Sequence, residues 1–69
     1  MEKVNKIIEV IEKVTEFEDL EFIEFDGDAY QFIGFNQDDE EVEIKVTVFN
    51  EVFANGKKIN VYLPINIWS

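Results

Sequence analysis

The apolar residues of this chain recur with the period of a helix as far as Phe17 and with the period of a strand after it. That change constrains the fold more than any other feature. Val4, Ile7, Ile8, Ile11 and Val14 follow one another at spacings of 3, 1, 3 and 3. At 100° per residue they fall within about 120° of arc, the stripe of an amphipathic helix. Glu2, Glu9, Glu12 and Glu16 occupy about 80° on the opposite side, with Lys3, Lys6 and Lys13 to one flank. Prolonging the helix would put Glu18 inside the apolar stripe, so the pattern predicts a helix from Glu2 to about Phe17.

Beyond it, Leu20 to Phe25 and Ala29 to Phe35 are rich in aromatic and β-branched residues and surround Asp26-Gly27-Asp28, a hairpin signal. A loop at Asp26-Gly27 would set Phe32 against Glu21 and Phe25 against Asp28. A loop at Gly27-Asp28, of type II′ or I′, pairs Phe25 with Tyr30, Ile23 with Phe32, Phe22 with Ile33 and Leu20 with Phe35. Cross-strand apolar pairs stabilise by roughly 0.2–1 kcal/mol each, which selects the second register. Asn55-Gly56 is the strongest short hairpin signal in the chain. Centred there, a second hairpin pairs Val52 with Ile59, Val48 with Leu63, Val46 with Ile65 and Ile44 with Ile67. Its other face pairs Phe49 with Tyr62, Thr47 with Pro64 and Glu43 with Trp68. Asn50 opposite Val61 breaks the apolar side, so a strand from Val42 to Ala54 should bulge or bend there.

Pro64 cannot donate to a ladder and belongs on an edge strand. Asp19, Glu21 and Glu24 are charges of the kind that guard an edge. The expected fold is therefore α+β in two layers: one N-terminal helix packed on a four-stranded antiparallel meander. It comprises one domain, residues 1–69. The face under the helix should collect Val42, Ile44, Val46, Val48, Val52, Ile59, Val61, Leu63, Ile65 and Ile67. From the first hairpin, either Ile23, Phe25, Tyr30 and Phe32 or Leu20, Phe22, Ile33 and Phe35 should join them. The other face would be left uncovered with Phe49, Tyr62, Trp68 and the remaining set, and large open apolar patches on soluble proteins mark interaction sites.

Charge narrows the partners. Sixteen acidic residues stand against six lysines, with no arginine and no histidine, for a formal charge of -10. Nucleic acid and anionic membranes are both held by clustered cations, so direct binding to either is not expected. A positively charged partner is. With no cysteine, neither disulfides nor thiolate metal sites contribute. The N-terminus alternates charged and apolar residues, unlike a signal peptide, and no apolar run reaches membrane-spanning length, so cytoplasmic residence is the expectation. Plentiful Ile, Asn, Lys and Phe beside the missing arginine suggest the coding bias of a low-GC bacterium or its phage.

The acids fall into three groups: Glu2, Glu9, Glu12 and Glu16 on the helix; Glu16, Glu18, Asp19, Glu21 and Glu24 through its end into the first strand; and Asp38, Asp39, Glu40, Glu41 and Glu43 in the central loop and beyond. Paired carboxylates can serve as acid and base in glycoside hydrolysis. With no histidine or cysteine, and Ser69 the only serine, nucleophile-and-base catalysis has no residues to use. Neither Asp26-Gly27-Asp28 nor Asp38 to Glu41 reproduces a calcium-binding loop with acids at alternating positions and a closing glutamate. The glycines are isolated, so no phosphate-cradling loop is present, and no cofactor is expected.

What remains is recognition by charge. A rigid fold displaying carboxylate rows can fill a groove built for phosphates, with fast, salt-sensitive association. Small acidic phage proteins that inhibit uracil glycosylases, and some anti-CRISPR proteins, act in this way; this chain is similar to them in kind, without a shared motif. The expected function is a non-enzymatic inhibitor or nucleic-acid mimic that blocks a basic, nucleic-acid-handling protein. Its partner-binding residues would be Asp38, Asp39, Glu40, Glu41 and Glu43, then Glu9, Glu12 and Glu16, with Phe49, Tyr62 and Trp68 as apolar anchors. The competing expectation is a structural domain that homodimerises through its aromatic sheet face, its charge serving only solubility.

Overall fold

The computed structural model describes residues 2–61 and Leu63. It shows one helix, α1 (Glu2–Val14), followed by five strands: β1 (Glu18–Phe25), β2 (Ala29–Phe35), β3 (Glu41–Thr47), β4 (Val52–Ala54) and β5 (Lys57–Ile59). The strands form one antiparallel sheet in the order β1-β2-β3-β4-β5, so the α+β meander is present with five strands rather than four. Among the described residues, no helix is long and apolar enough to cross a membrane.

Helix α1 lays Val4, Ile7 and Ile11 into the core, with Ile8 and Val14 half-buried beside them, as the apolar stripe requires. It ends at Val14, three residues short of the expected end. Thr15 stops it: its hydroxyl donates to the Ile11 carbonyl and accepts from the Phe17 N–H at 3.2 Å. This use of a threonine side chain in place of the next helical bond is a common terminator.

The expected long strand from Val42 to Ala54 is two strands. Val48-Phe49-Asn50 is a three-residue turn, closed by the Thr47 N–H to Glu51 carbonyl bond at 2.8 Å, with Asn50 left-handed at φ 65°. A left-handed residue in a three-residue loop folds the chain back on itself. Val46 and Ile44 therefore pair with Val52 and Ala54, not with Ile65 and Ile67. Asn50 breaks the strand as the sequence indicates, by reversal rather than by a bulge. Val48, expected beneath the helix opposite Leu63, lies in this turn. The pairing of Val52 with Ile59 through an Asn55-Gly56 turn holds, both turn residues having positive φ. Leu63 is buried in the core. The expected pairings of Tyr62, Pro64, Ile65, Ile67 and Trp68 fall outside the described residues.

In the first hairpin Phe25 pairs with Tyr30, as the Gly27-Asp28 loop requires, but the register then shifts twice along β1. Glu24 faces Gln31, Phe22 faces Phe32, Glu21 faces Ile33 and Glu18 faces Phe35. The expected pairs Ile23–Phe32, Phe22–Ile33 and Leu20–Phe35 are thereby displaced. One extra residue sits at Ile23, which is 53% exposed, and another between Glu18 and Glu21, where Asp19 has φ 57°. Each bulge inverts the alternation of faces. Neither expected apolar set goes under the helix intact. Leu20 and Phe22 come from one and Tyr30 and Phe32 from the other, while Phe25 stays 46% exposed at the rim.

The inner face closes around Phe32, 1% exposed, whose neighbours across the ladder are Phe22 and Ile44. Phe22 meets Phe32 edge-on with ring centroids 5.7 Å apart, a favoured aromatic geometry. Beside them Gly34 lets two strands' side chains meet over it. A Cβ there would lie 3.0 Å from Leu20 Cδ1 and 3.2 Å from Ile44 Cδ1. At the edge, the Glu12 carboxylate accepts the Leu20 N–H at 3.1 Å and ties α1 to β1 across the first bulge.

The bulge at Ile23 makes a clear prediction. Ile23→Thr removes only exposed apolar surface and should change the unfolding free energy in urea by under about 1 kcal/mol. Deletion of Ile23 forces Glu24 toward the core or breaks the Phe25–Tyr30 pairing, and should cost several kcal/mol. Equal effects of the two changes would contradict the bulge.

Candidate binding surface

Residues directly opposite in a sheet point to the same face, so the register dictates what the uncovered face displays. The helix covers the face of Phe22, Phe32, Gly34, Val42, Ile44, Val46 and Val52. On the other face the ladder forms three rows, Glu18–Phe35–Glu41, Glu21–Ile33–Glu43 and Glu24–Gln31–Lys45–Phe53–Lys58, followed by the short buried pair Ala29–Thr47. In the first two rows an apolar residue on β2 is flanked by glutamates on β1 and β3. Phe35 and Ile33 are half-buried between their neighbours, and all four glutamates are exposed. The flanking glutamates are two strand spacings apart, about 10 Å between Cα atoms, and successive rows advance by about 6.6 Å.

The third row differs. Phe53 lies between Lys45 and Lys58, and a shallow groove of about 380 Å³ opens beside it, lined by Gln31, Glu43, Lys45, Phe53 and Gly56. The face is therefore acidic over two rows and mixed in the third. Lys58 also pairs with Glu51 at 3.4 Å in open solvent, a contact that adds little stability.

The turns at the two ends of the sheet share one hydrogen-bond frame. In the β2–β3 turn the Asn36 side-chain oxygen accepts from the Asp38 and Glu40 N–H groups at 2.9 and 3.0 Å, and the Asn36 N–H donates to the Glu40 carbonyl at 3.0 Å. In the β3–β4 turn the Thr47 hydroxyl accepts from the Phe49 and Glu51 N–H groups at 3.2 and 3.1 Å. The fourth residue of each frame, Asp39 or Asn50, is left-handed. The first frame displays Gln37, Asp38 and Asp39, and the second displays Val48, Phe49 and Asn50.

This geometry divides the residues singled out from sequence. Asp38, Asp39 and Glu40 lie in the turn at one end of the sheet, with Glu41 and Glu43 continuing from them onto the open face. Because Glu18 is in register with Phe35 and Glu41, β1 and the preceding Glu16 come to that same end. Glu9 and Glu12 are exposed on the helix layer, on the opposite side of the sheet from Glu41 and Glu43. Glu12 is also engaged within the fold through Leu20. Phe49 is 71% exposed, but stands at the far end of β3, about 20 Å from the acidic turn. Tyr62 and Trp68 lie outside the described residues. The open face presents Ile33, Phe35 and Phe53 instead, with Glu18 and Glu21 among the acids. Sequence reading missed this because the bulge at Ile23 is what turns Glu21 to that side, and the two bulges together set Glu18 rather than Leu20 opposite Phe35.

Among the described residues no three carboxylates converge as a metal ion would require. The Asp26 carboxyl group serves the first hairpin. Its Oδ1 accepts the N–H groups of Asp28 at 3.0 Å and Ala29 at 2.9 Å, and its Oδ2 accepts from the Gln31 amide at 3.2 Å. The Asp28 and Ala29 N–H groups, with smaller help from Gln31 and the Lys45 charge, hold the Asp26 carboxyl below the usual carboxylate value of 3.8.

A folded-state value below the unfolded one means that Asp26 adds stability above pH 3.8, and that this contribution fades as pH falls through the lowered value. An NMR titration should find Asp26 still ionised at 3.8, and Asp26→Asn should flatten the acid limb of the stability profile. Titration of Asp26 at or above 3.8 would contradict the arrangement.

No protein-family model, no characterised protein and no solved structure matches the chain, so the reading of this surface rests on its register and charge alone.

Proposed function

We propose that the chain is a non-enzymatic protein-binding module whose open sheet face engages a basic surface evolved to hold nucleic acid, acting as an inhibitor or nucleic-acid mimic. The observation that carries this reading is the pair of rows Glu18–Phe35–Glu41 and Glu21–Ile33–Glu43 on the face that α1 leaves uncovered. Two carboxylates per row, advancing by about 6.6 Å, give about one charge per 3.3 Å along the pair of borders, about half the density of B-DNA with both strands counted, ~1.7 Å per charge. The half-buried Phe35 and Ile33 supply apolar contact between the charges. Such a face attracts lysine- and arginine-rich grooves at long range and docks against them at short range. The acids of the Asn36 turn extend the field at one end, and the turn's hydrogen bonds fix them in place, which lowers the ordering cost of binding.

The exposed polar groups of the groove beside Phe53 fit recognition better than catalysis, which needs an enclosed site to perturb an acid or base. The charge pattern also weighs against self-association through this face. A two-fold interface sets a patch against its own copy, and would bring glutamate rows against glutamate rows.

The test is capture at low salt with two variants. Wild-type protein should retain basic nucleic-acid-binding proteins that duplex DNA or moderate salt then displaces. Glutamine at Glu18, Glu21, Glu41 and Glu43 should abolish capture, whereas Glu9→Gln on the helix side should leave it within about twofold. Equal capture by the sheet-face variant, or failure of DNA to compete, would overturn the reading.

A further inference from the structure

A second surface lies at the end of the sheet opposite the acidic turn, and it is independent of the face discussed above. Phe49 is 71% exposed, Val48 39% and Phe25 46%. The β1–β2 and β3–β4 turns that carry them abut, with the Val48 N–H donating to the Asp28 carbonyl at 2.8 Å. Phe25 and Tyr30 stack at 4.5 Å between centroids on the adjoining rim.

The fold does not need the side chains of Val48 and Phe49. The turn holding Phe49 is built by Thr47 and Asn50: the Thr47 hydroxyl takes the Phe49 and Glu51 N–H groups, and Asn50 supplies the left-handed residue. Its counterpart at the other end, built by Asn36 and Asp39, has the same bonds and places Gln37 and Asp38 where Val48 and Phe49 stand. Polar residues therefore satisfy the frame fully. An aromatic at such a position contributes almost nothing to the core and adds exposed apolar area, which soluble proteins keep chiefly for binding.

We infer that Phe49, with Val48, is an anchor that inserts into an apolar pocket of a protein partner, and that the pocket's rim is cationic. Shape argues for insertion: a turn tip is convex, so its complement is concave. Preorganisation supports it, because the backbone of Phe49 is set before contact and only two side-chain torsions remain to be fixed. Charge selects the rim. Asp26 and Asp28 flank the tip, both exposed, and the N–H groups of Asp28 and Ala29 favour the ionised form of Asp26. Glu51, at the base of the turn, is paired with Lys58. The tip thus presents an apolar knob beside two exposed carboxylates, complementary to a hydrophobic pocket bordered by lysine or arginine.

Cyclodextrins serve as defined probes, since each is an apolar cavity with a rim of chosen charge. Amino-substituted β-cyclodextrin titrated into ¹⁵N-labelled protein at low salt should shift the resonances of Val48, Phe49 and Asn50. It should bind about tenfold more tightly than neutral β-cyclodextrin, and the difference should collapse at high salt. Phe49→Ser should abolish the shifts without changing the melting temperature, while glutamine at Glu41 and Glu43 should leave them in place. Loss of binding in that sheet-face variant would instead place the site on the face proposed above. Equal affinity for the two probes would overturn the cationic rim, and unchanged binding by Phe49→Ser would overturn the anchor. A wild-type dimer that Phe49→Ser converts to monomer would replace the external partner with a second copy of this chain.

Discussion

Two extra residues in β1 decide what each side of this sheet is made of. Strict alternation along Glu18 to Phe25 would mix Glu18 and Glu24 with Leu20 and Phe22 on one face, and Asp19 and Glu21 with Ile23 and Phe25 on the other. Neither face could be buried, because an unpaired carboxylate taken out of water costs several kcal/mol. The bulges at Asp19 and Ile23 sort the strand instead. Leu20 and Phe22 turn inward, while Glu18, Glu21 and Glu24 turn outward. The cost is one left-handed aspartate and one isoleucine left to solvent, small against a buried charge. Core and surface are thus two products of the same local irregularity.

Everything proposed for the open face depends on that sorting. β3 alternates cleanly between buried Val42, Ile44 and Val46 and exposed Glu41, Glu43 and Lys45, so its acids reach the outer side without assistance. The bulges turn Glu21 to that side and take Leu20 and Phe22 away from it, so the β1 acids stand there together and β2 holds an apolar ridge between two acidic borders. The helix is confined to the other side, where Ile7, Ile11 and Phe32 close the core. Among the described residues the single helix covers one face, and no other element lies over the second. The two ends of the sheet are distinguished by one turn frame used twice, with carboxylates at one end and an aromatic at the other.

Much of this is legible in the sequence, and the rest is obscured for specific reasons. The helix follows from five apolar positions, and Asn55-Gly56 and Gly27-Asp28 are strong local turn signals that gave correct pairs at Val52–Ile59 and Phe25–Tyr30. The bulges are not visible locally, since a bulge is a property of two strands and no residue type demands one. Their trace is the three-residue spacing of Glu18, Glu21 and Glu24, which no unbroken strand can place on one face. The reversal at Asn50 did leave a pattern. Asn36-x-x-Asp39-Glu40 and Thr47-x-x-Asn50-Glu51 each place a side-chain acceptor three residues before a left-handed-tolerant residue and four before a glutamate. Having accepted the first as a loop, the second could be read the same way. The hydrophobic run around it, Val46 to Val52, argued for continuity and concealed it. The candidate surface was half legible: Glu41 and Glu43 follow from simple alternation, whereas Glu18 and Glu21 require the register.

The register of β1 against β2 is therefore the claim on which both the packing and the proposed surface stand, and backbone NMR reads it directly. Cross-strand proton–proton contacts should link Phe22 with Phe32 and Glu21 with Ile33, and none should link Ile23 with Phe32. Contacts between Ile23 and Phe32, continuing without a shift to Phe22–Ile33 and Leu20–Phe35, would contradict the account. They would return the β1 acids to a mixed face and dissolve the paired glutamate rows.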